Sequence, residues 1–407
     1  MMVALIPLFD ENMAVRAYSV FAQKDNFLLN PNRLGTGKFD GAGTIDGLEV
    51  IKNVGIETIS SDKELFVQIN NVSIFSDIEA QCKVPHDRLV FLLDNTFPPI
   101  DMYVNRLKEL KNAGYKLAMR KVPVSIMESH KPIIELLDYV FINPHKVAID
   151  KAHLYFSQVY PNVRLCAGAL ETIEGFEKVK ALKCCHLYEG PFYRIPITKG
   201  ETEVAPLKMN YIELLNIVNE TDFDLTKAAD IIGRDAALTI SLLKMVNRMT
   251  INSQINSIRH AAAMLGQRDL KKWINTAVVN EMYADKPNEI TRISLLRAKF
   301  AENLAGYFGM EMQKEELFLM GLFSVLDIIL EKSMEDALKL VKVSPNIEKA
   351  LVKKEGPFAE LLQFMVQYES ANWQEVSRQL ILLNLSDDDV YKAYFETLKW
   401  YRNLTKE

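Results

Sequence analysis

The sequence predicts an α/β domain, best drawn as a (β/α) barrel, followed by an all-α domain. Three observations carry this expectation. The chain has 407 residues, too many for one ordinary domain. Up to about residue 200, strand-like and helix-like segments alternate, the rhythm of a parallel sheet covered by helices. Beyond Pro206 the strand signal fades and helical periodicity continues.

In chain order, strands are expected over Val15–Ala22, Leu65–Ile69, Leu89–Leu93, Lys116–Met119, Tyr139–Ile142, Arg164–Ala169 and His186–Leu187. Helical patterns lie between them, such as Met102–Ala113 before Gly114, and Ile173–Leu182. This set suits a barrel with one unit short or irregular. An open doubly wound sheet is the rival, but no Gly-rich phosphate loop follows the first strand. Polar residues after Ile197 place a linker near 196–206, giving domains 1–200 and 201–407.

In the second half, Asp224 caps a helix through Ile232 that Gly233 stops. Asp235 caps another, whose Leu238, Leu242, Met245, Val246 and Met249 share one face. Ser257 opens a third and Gly266 ends it. Leu317–Ile329 reads as a nearly all-round apolar helix, the expected centre of the domain. Helices Phe358–Tyr368, Trp373–Leu383 and Asp387–Tyr401 close the chain, the last capped by Ser386.

Hydrophobic residues are 49% and charged residues 25%, as in a globular protein with a sizeable core. A net charge of -5 argues against general nucleic-acid binding. No apolar run approaches the ~20 residues of a membrane helix, and no signal peptide is recognisable. Cys82, Cys166, Cys184 and Cys185 show neither a disulfide framework nor zinc spacing, which suits a reduced, cytoplasmic protein.

Two family resemblances sharpen this reading. Ile232, Arg234, Asp235, Leu238, Leu242, Leu243, Val246 and Asn247, then Ile255, Ser257, Ile258, Ala261, Leu265 and Gly266, resemble the HDOD domain, a helical relative of the HD phosphohydrolases. The His-Asp pair of those hydrolases falls on Ser324 and Val325, and no histidine follows His260. The resemblance therefore implies no metal site of the HD kind. Arg234, Asp235 and Asn247 are polar in an apolar run and mark a candidate partner surface, with capping and turn bonding as the alternative.

The opening Ile6–Ala22 resembles EAL-domain phosphodiesterases, TIM-like barrels that hydrolyse cyclic di-GMP with two divalent cations. Aligned with that family, the signature Glu falls on Ser19, the asparagine ligand on Asn71 and the next Glu on Phe91. The paired aspartates fall on Arg120 and Lys121, and the Lys and Asp of the following strand on Phe141 and Asn143. Glu171 is kept, and the glutamine falls on Glu189. A cation in place of the bridging aspartates repels a metal by roughly 4 kcal/mol per charge pair at ~4 Å and intermediate dielectric.

The resemblances imply a bacterial EAL–HDOD signalling protein. The lost ligands imply no enzyme activity and no metal or other cofactor, hence an adaptor that docks a protein partner. Two alternatives are a cyclic di-GMP or nucleotide sensor using Arg120 and Lys121, and a residual cyclic di-GMP phosphodiesterase. No membrane or nucleic-acid partner is expected.

Overall fold

The computed structural model describes residues 1–23, 43–120, 122, 124–195, 206–220, 222–249, 255–282 and 288–405. Eight strands close into a barrel in sequence order: β1 (Met2–Phe9), β2 (Val15–Gln23), β3 (Glu64–Gln68), β4 (Leu89–Leu93), β5 (Lys116–Met119), β6 (Tyr139–Ile142), β7 (Arg164–Ala167) and β8 (Leu187–Tyr188). Strands β2 to β8 run parallel, whereas β1 is antiparallel to both β2 and β8. The barrel is thus complete, where the sequence left one unit irregular.

The missing unit was β1. Pro7 and the absence of a following helix hid it, because β1 turns into β2 through a hairpin held by Asp10. A hairpin supplies no helix to cover the outer face of β1. The chain solves this from its far end. Helix Asp387–Thr405 packs on β1 and on Ile56–Ser60, and Arg402 donates to Thr58 Oγ1 at 2.5 Å. Strand β8 has only two residues and meets β1 only at Phe9–Tyr188, so the β1 edge is open beyond that pair. There the Val3 N–H donates to the Tyr368 hydroxyl at 3.2 Å.

These contacts move the expected domain boundary. One compact unit comprises Met1–Ile195 with Gln363–Glu407, the other Pro196–Leu362. The last helices belong with the barrel because its first strand needs their apolar faces. The expected linker lies mainly in 196–205, outside the described residues.

Along the strands, residues of one parity point inward. Leu8, Phe66, Val90, Leu92, Phe141 and Leu187 belong to this buried interior. The end where the parallel strands begin is closed by a polar network: Glu64 pairs with Lys116, Tyr139 donates to Glu64 at 3.0 Å, and Arg164 donates to the Tyr139 hydroxyl at 3.0 Å. Burial and the Glu64 charge push the Tyr139 hydroxyl's pKa up, keeping it a neutral donor. The opposite end, where the strands finish, is the mouth.

The second unit is helical. The expected caps are seen: Asp224 accepts from Thr226 N–H at 2.7 Å, opening Leu225–Ile232. Asp235 accepts from Leu238 N–H at 2.9 Å beside Ala236–Met249. On that helix Leu238, Leu242 and Val246 are buried, while Met249 is exposed. Gly266, at φ 71°, breaks the helix over Ile258–Met282 where the sequence placed a stop. The expected single apolar helix is two, Lys314–Phe323 and Leu326–Leu330, separated at Ser324 and Val325. Every residue from Leu317 to Phe323 is buried. Gly321 permits close helix packing, since a Cβ there would sit 2.5 Å from the backbone of Arg297 and Ala298. Among the described residues no helix is long and apolar enough to cross a membrane.

Candidate functional site

The barrel mouth gathers four of the residues marked by the sequence. Ser19 on β2 and Phe141 on β6 point inward, as do Arg120 just past β5 and Glu189 just past β8. Arg120 Nη1 donates to Glu189 Oε1 at 2.6 Å, and Nη2 bonds the other carboxylate oxygen, so the pair is two-pronged. Nη2 also donates to Ser19 Oγ at 2.8 Å. The guanidinium lies over the Phe141 ring at 4.7 Å and the Phe21 ring at 5.3 Å. One cation thus ties three strand ends together beneath a partly aromatic lining.

The other positions lie elsewhere. Phe91 is corrected: strand alternation turns it away from the interior that Val90 and Leu92 face, and its ring meets Tyr115 at 5.0 Å. The inward residue there is Leu92, one place along. Asn71 is exposed in a turn whose bonding is done by Asn70, which accepts from Ser73 N–H at 2.8 Å. Asn143 accepts from His145 N–H at 2.9 Å, a turn contact. Glu171 is exposed on the loop after β7. Lys121 falls outside the described residues.

These side chains do not fit a pair of divalent cations. Glu189 and Ser19 are spent on a guanidinium at the centre of the mouth, while Asn71 and Glu171 stand exposed. A fixed positive charge amid the donors opposes a second cation. No group of three or more His, Cys, Asp or Glu placed to hold a metal occurs among the described residues.

Glu189 could not be ranked above its neighbours from sequence, because its partner is 69 residues away. Its local signal is Gly190, at φ 152°. A Cβ at Gly190 would lie 2.6 and 2.7 Å from the carbonyl carbon and nitrogen of Leu170, and closer still to its oxygen. Leu170 N–H in turn donates to the Glu189 carbonyl at 3.0 Å. The loops after β7 and β8 therefore lock together and fix the backbone that carries Glu189.

In the helical unit, Ser324 donates to Gly321 C=O at 2.7 Å and accepts from Arg297 at 3.1 Å; Val325 is buried. Both serve the helix break. Next to them, burial pushes the Asp327 carboxyl above the usual carboxylate range despite Lys354 and Arg297 nearby. A raised folded-state value means that the ionised form is disfavoured on folding. The penalty is full above the folded value and vanishes below the ordinary value near 3.8. Asp327→Asn keeps the Oδ1 that accepts from Ile328 N–H at 2.9 Å. The variant should be at least as heat-stable as the parent at pH 7, with its advantage fading as pH falls toward 4. Thermal melts across that range check this, and a variant less stable at pH 7 would contradict it.

The candidate partner residues have internal roles. Asp235 accepts from the Tyr211 hydroxyl at 2.7 Å besides its capping bond. Asn247 clamps Ile255 through two bonds, 2.9 Å to its carbonyl and 2.7 Å from its N–H. Arg234 has an exposed ion pair with Glu213 at 3.7 Å, a contact of little energetic weight. These bonds match the capping and turn alternative.

Residues 204–355 match the HDOD domain family. A Vibrio cholerae protein named cyclic di-GMP phosphodiesterase CdgJ is 27% identical over 329 residues, 79% of this chain and 75% of that protein. The uncharacterized Bacillus subtilis protein YuxH is 25% identical over 412 residues, 99% of this chain and 98% of that one. Among solved structures, the EAL enzyme Bd1971 in its cGMP-bound form aligns with TM-score 0.35 and 10% identity, covering 46% of this chain. This chain spans 59% of that structure's length.

The chain combines a closed eight-stranded barrel with a helical unit that carries the HDOD match. The expectation that it is not an enzyme is overturned: a relative across 79% of the chain is named a phosphodiesterase. The Phe91 side chain does not face the barrel interior, so its identity says nothing about a ligand there.

Proposed function

We propose that this chain is a bacterial cyclic di-GMP signalling protein that regulates a protein partner and reads the dinucleotide at its barrel mouth. The observation that carries the reading is Arg120, a cation held at the strand ends between the Phe21 and Phe141 rings. Guanidinium groups suit phosphodiester oxygens, and aromatic faces suit bases. The likeness to a protein named for cyclic di-GMP supports the ligand class. The helical unit is the part assigned to the partner, and free cysteines suit the cytoplasm.

A second reading, turnover of cyclic di-GMP, is favoured by the same relative's name. Calorimetric titration of the intact chain with cyclic di-GMP tests the first, with measurable binding expected. An assay of cyclic di-GMP hydrolysis with added manganese tests the second. A flat titration at high micromolar protein would sink the ligand reading, and release of linear product would establish the enzymatic one. Affinity capture comparing the parent with an Arg234→Glu variant tests partner docking beside that residue.

A further inference from the structure

We infer that the Arg120 fork is an anion site already filled by an internal occupant, Glu189, and that a phosphodiester bound at the mouth takes that carboxylate's place. The inference rests on the ligand reading above and adds what controls access to it.

A carboxylate and a phosphodiester each offer two oxygens to a guanidinium in the same two-pronged geometry. Glu189 occupies both Nη1 and Nη2, the prongs that such a ligand would need. The pair is not sealed from solvent: the side chains of Arg120 and Glu189 are 18% and 13% exposed. A ligand can therefore reach them.

The present pairing is also imperfect. Arg120 Nε is buried and has no hydrogen-bond partner among the described residues. A buried donor left unmatched has lost its bond to water without a replacement. The guanidinium thus keeps unused donor capacity in the state where Glu189 holds it. Ser19 and the two phenyl rings hold Arg120 independently of Glu189. The cation stays in place when the carboxylate leaves. The Glu189 backbone is pinned by Leu170 and Gly190, so the exchange is a rotation of the Glu189 side chain with no strand movement.

The test is calorimetric titration of the intact chain, parent and Glu189→Gln, with cyclic di-GMP and separately with inorganic phosphate. Removing the internal competitor's charge should tighten cyclic di-GMP binding at least tenfold. Glu189→Asp keeps the charge on a shorter arm and should give a smaller gain; it carries the same comparison if the glutamine variant does not fold. Adding Arg120→Met to Glu189→Gln should erase the gain. A folded Glu189→Gln protein that binds no tighter than a binding parent overturns the occupant while leaving the ligand reading intact. Flat titrations for every protein overturn both. A gain for inorganic phosphate with none for the dinucleotide, or a gain surviving loss of Arg120, also overturns the inference.

Discussion

A chain truncated after Leu362 should lose its folded barrel, although all eight strands remain. The cause lies in β1, whose outer face has no crossover helix. Residues 363–407 supply Phe364, Met365, Tyr368, Val390, Tyr394 and Leu398 to the buried core of the first unit. Burying each large apolar side chain contributes roughly 1.5–3 kcal/mol. The six together contribute about 9–18 kcal/mol, as much as the ~5–15 kcal/mol that holds a typical domain folded. The Val3 N–H would lose its Tyr368 partner as well, and the Arg194–Glu369 ion pair at 3.5 Å would go. Circular dichroism and chemical denaturation of the truncated chain check this. A cooperative transition for the barrel, with an unchanged midpoint, would show that the last helices are dispensable.

Gly190→Ala should be the most damaging single substitution at the mouth. Its φ of 152° lies where side-chain-bearing residues are strained, by about 1–3 kcal/mol. The added methyl also collides with Leu170 backbone atoms at 2.6 and 2.7 Å, and overpacking of that kind costs about 1–3 kcal/mol more. Backbone cannot yield as a flexible side chain does. The loop after β8 must shift, taking Glu189 off Arg120. The expected result is a fall in stability of about 2–6 kcal/mol in denaturant titration. A loss below about 0.5 kcal/mol, the range of ordinary surface changes, would mean that the two loops are not locked.

The fold was legible where its signals are local. Seven strands carry short apolar or alternating runs between turn residues, and the caps Asp224 and Asp235 announce their helices within three residues. β1 was not legible, because its cover comes from helices more than 350 residues further on. The same separation hid the true extent of the helical unit, which ends at Leu362.

At the site, the substituted positions Ser19, Arg120, Phe141 and Glu189 could be picked out one by one. Their union could not, since Arg120 meets Ser19 across 101 residues and Glu189 across 69. Phe91 failed for a different reason. Apolar residues at 89–93 give no alternation by which to tell inward from outward, so the strand's phase was readable only once it was paired.

The most direct test compares titrations of cyclic di-GMP into the intact parent chain and into Arg120→Ala, each shown to be folded by circular dichroism. Binding in the parent that disappears in the variant is the predicted result. No binding by the parent at high micromolar protein, or equal affinity in the two, would contradict a ligand site at Arg120.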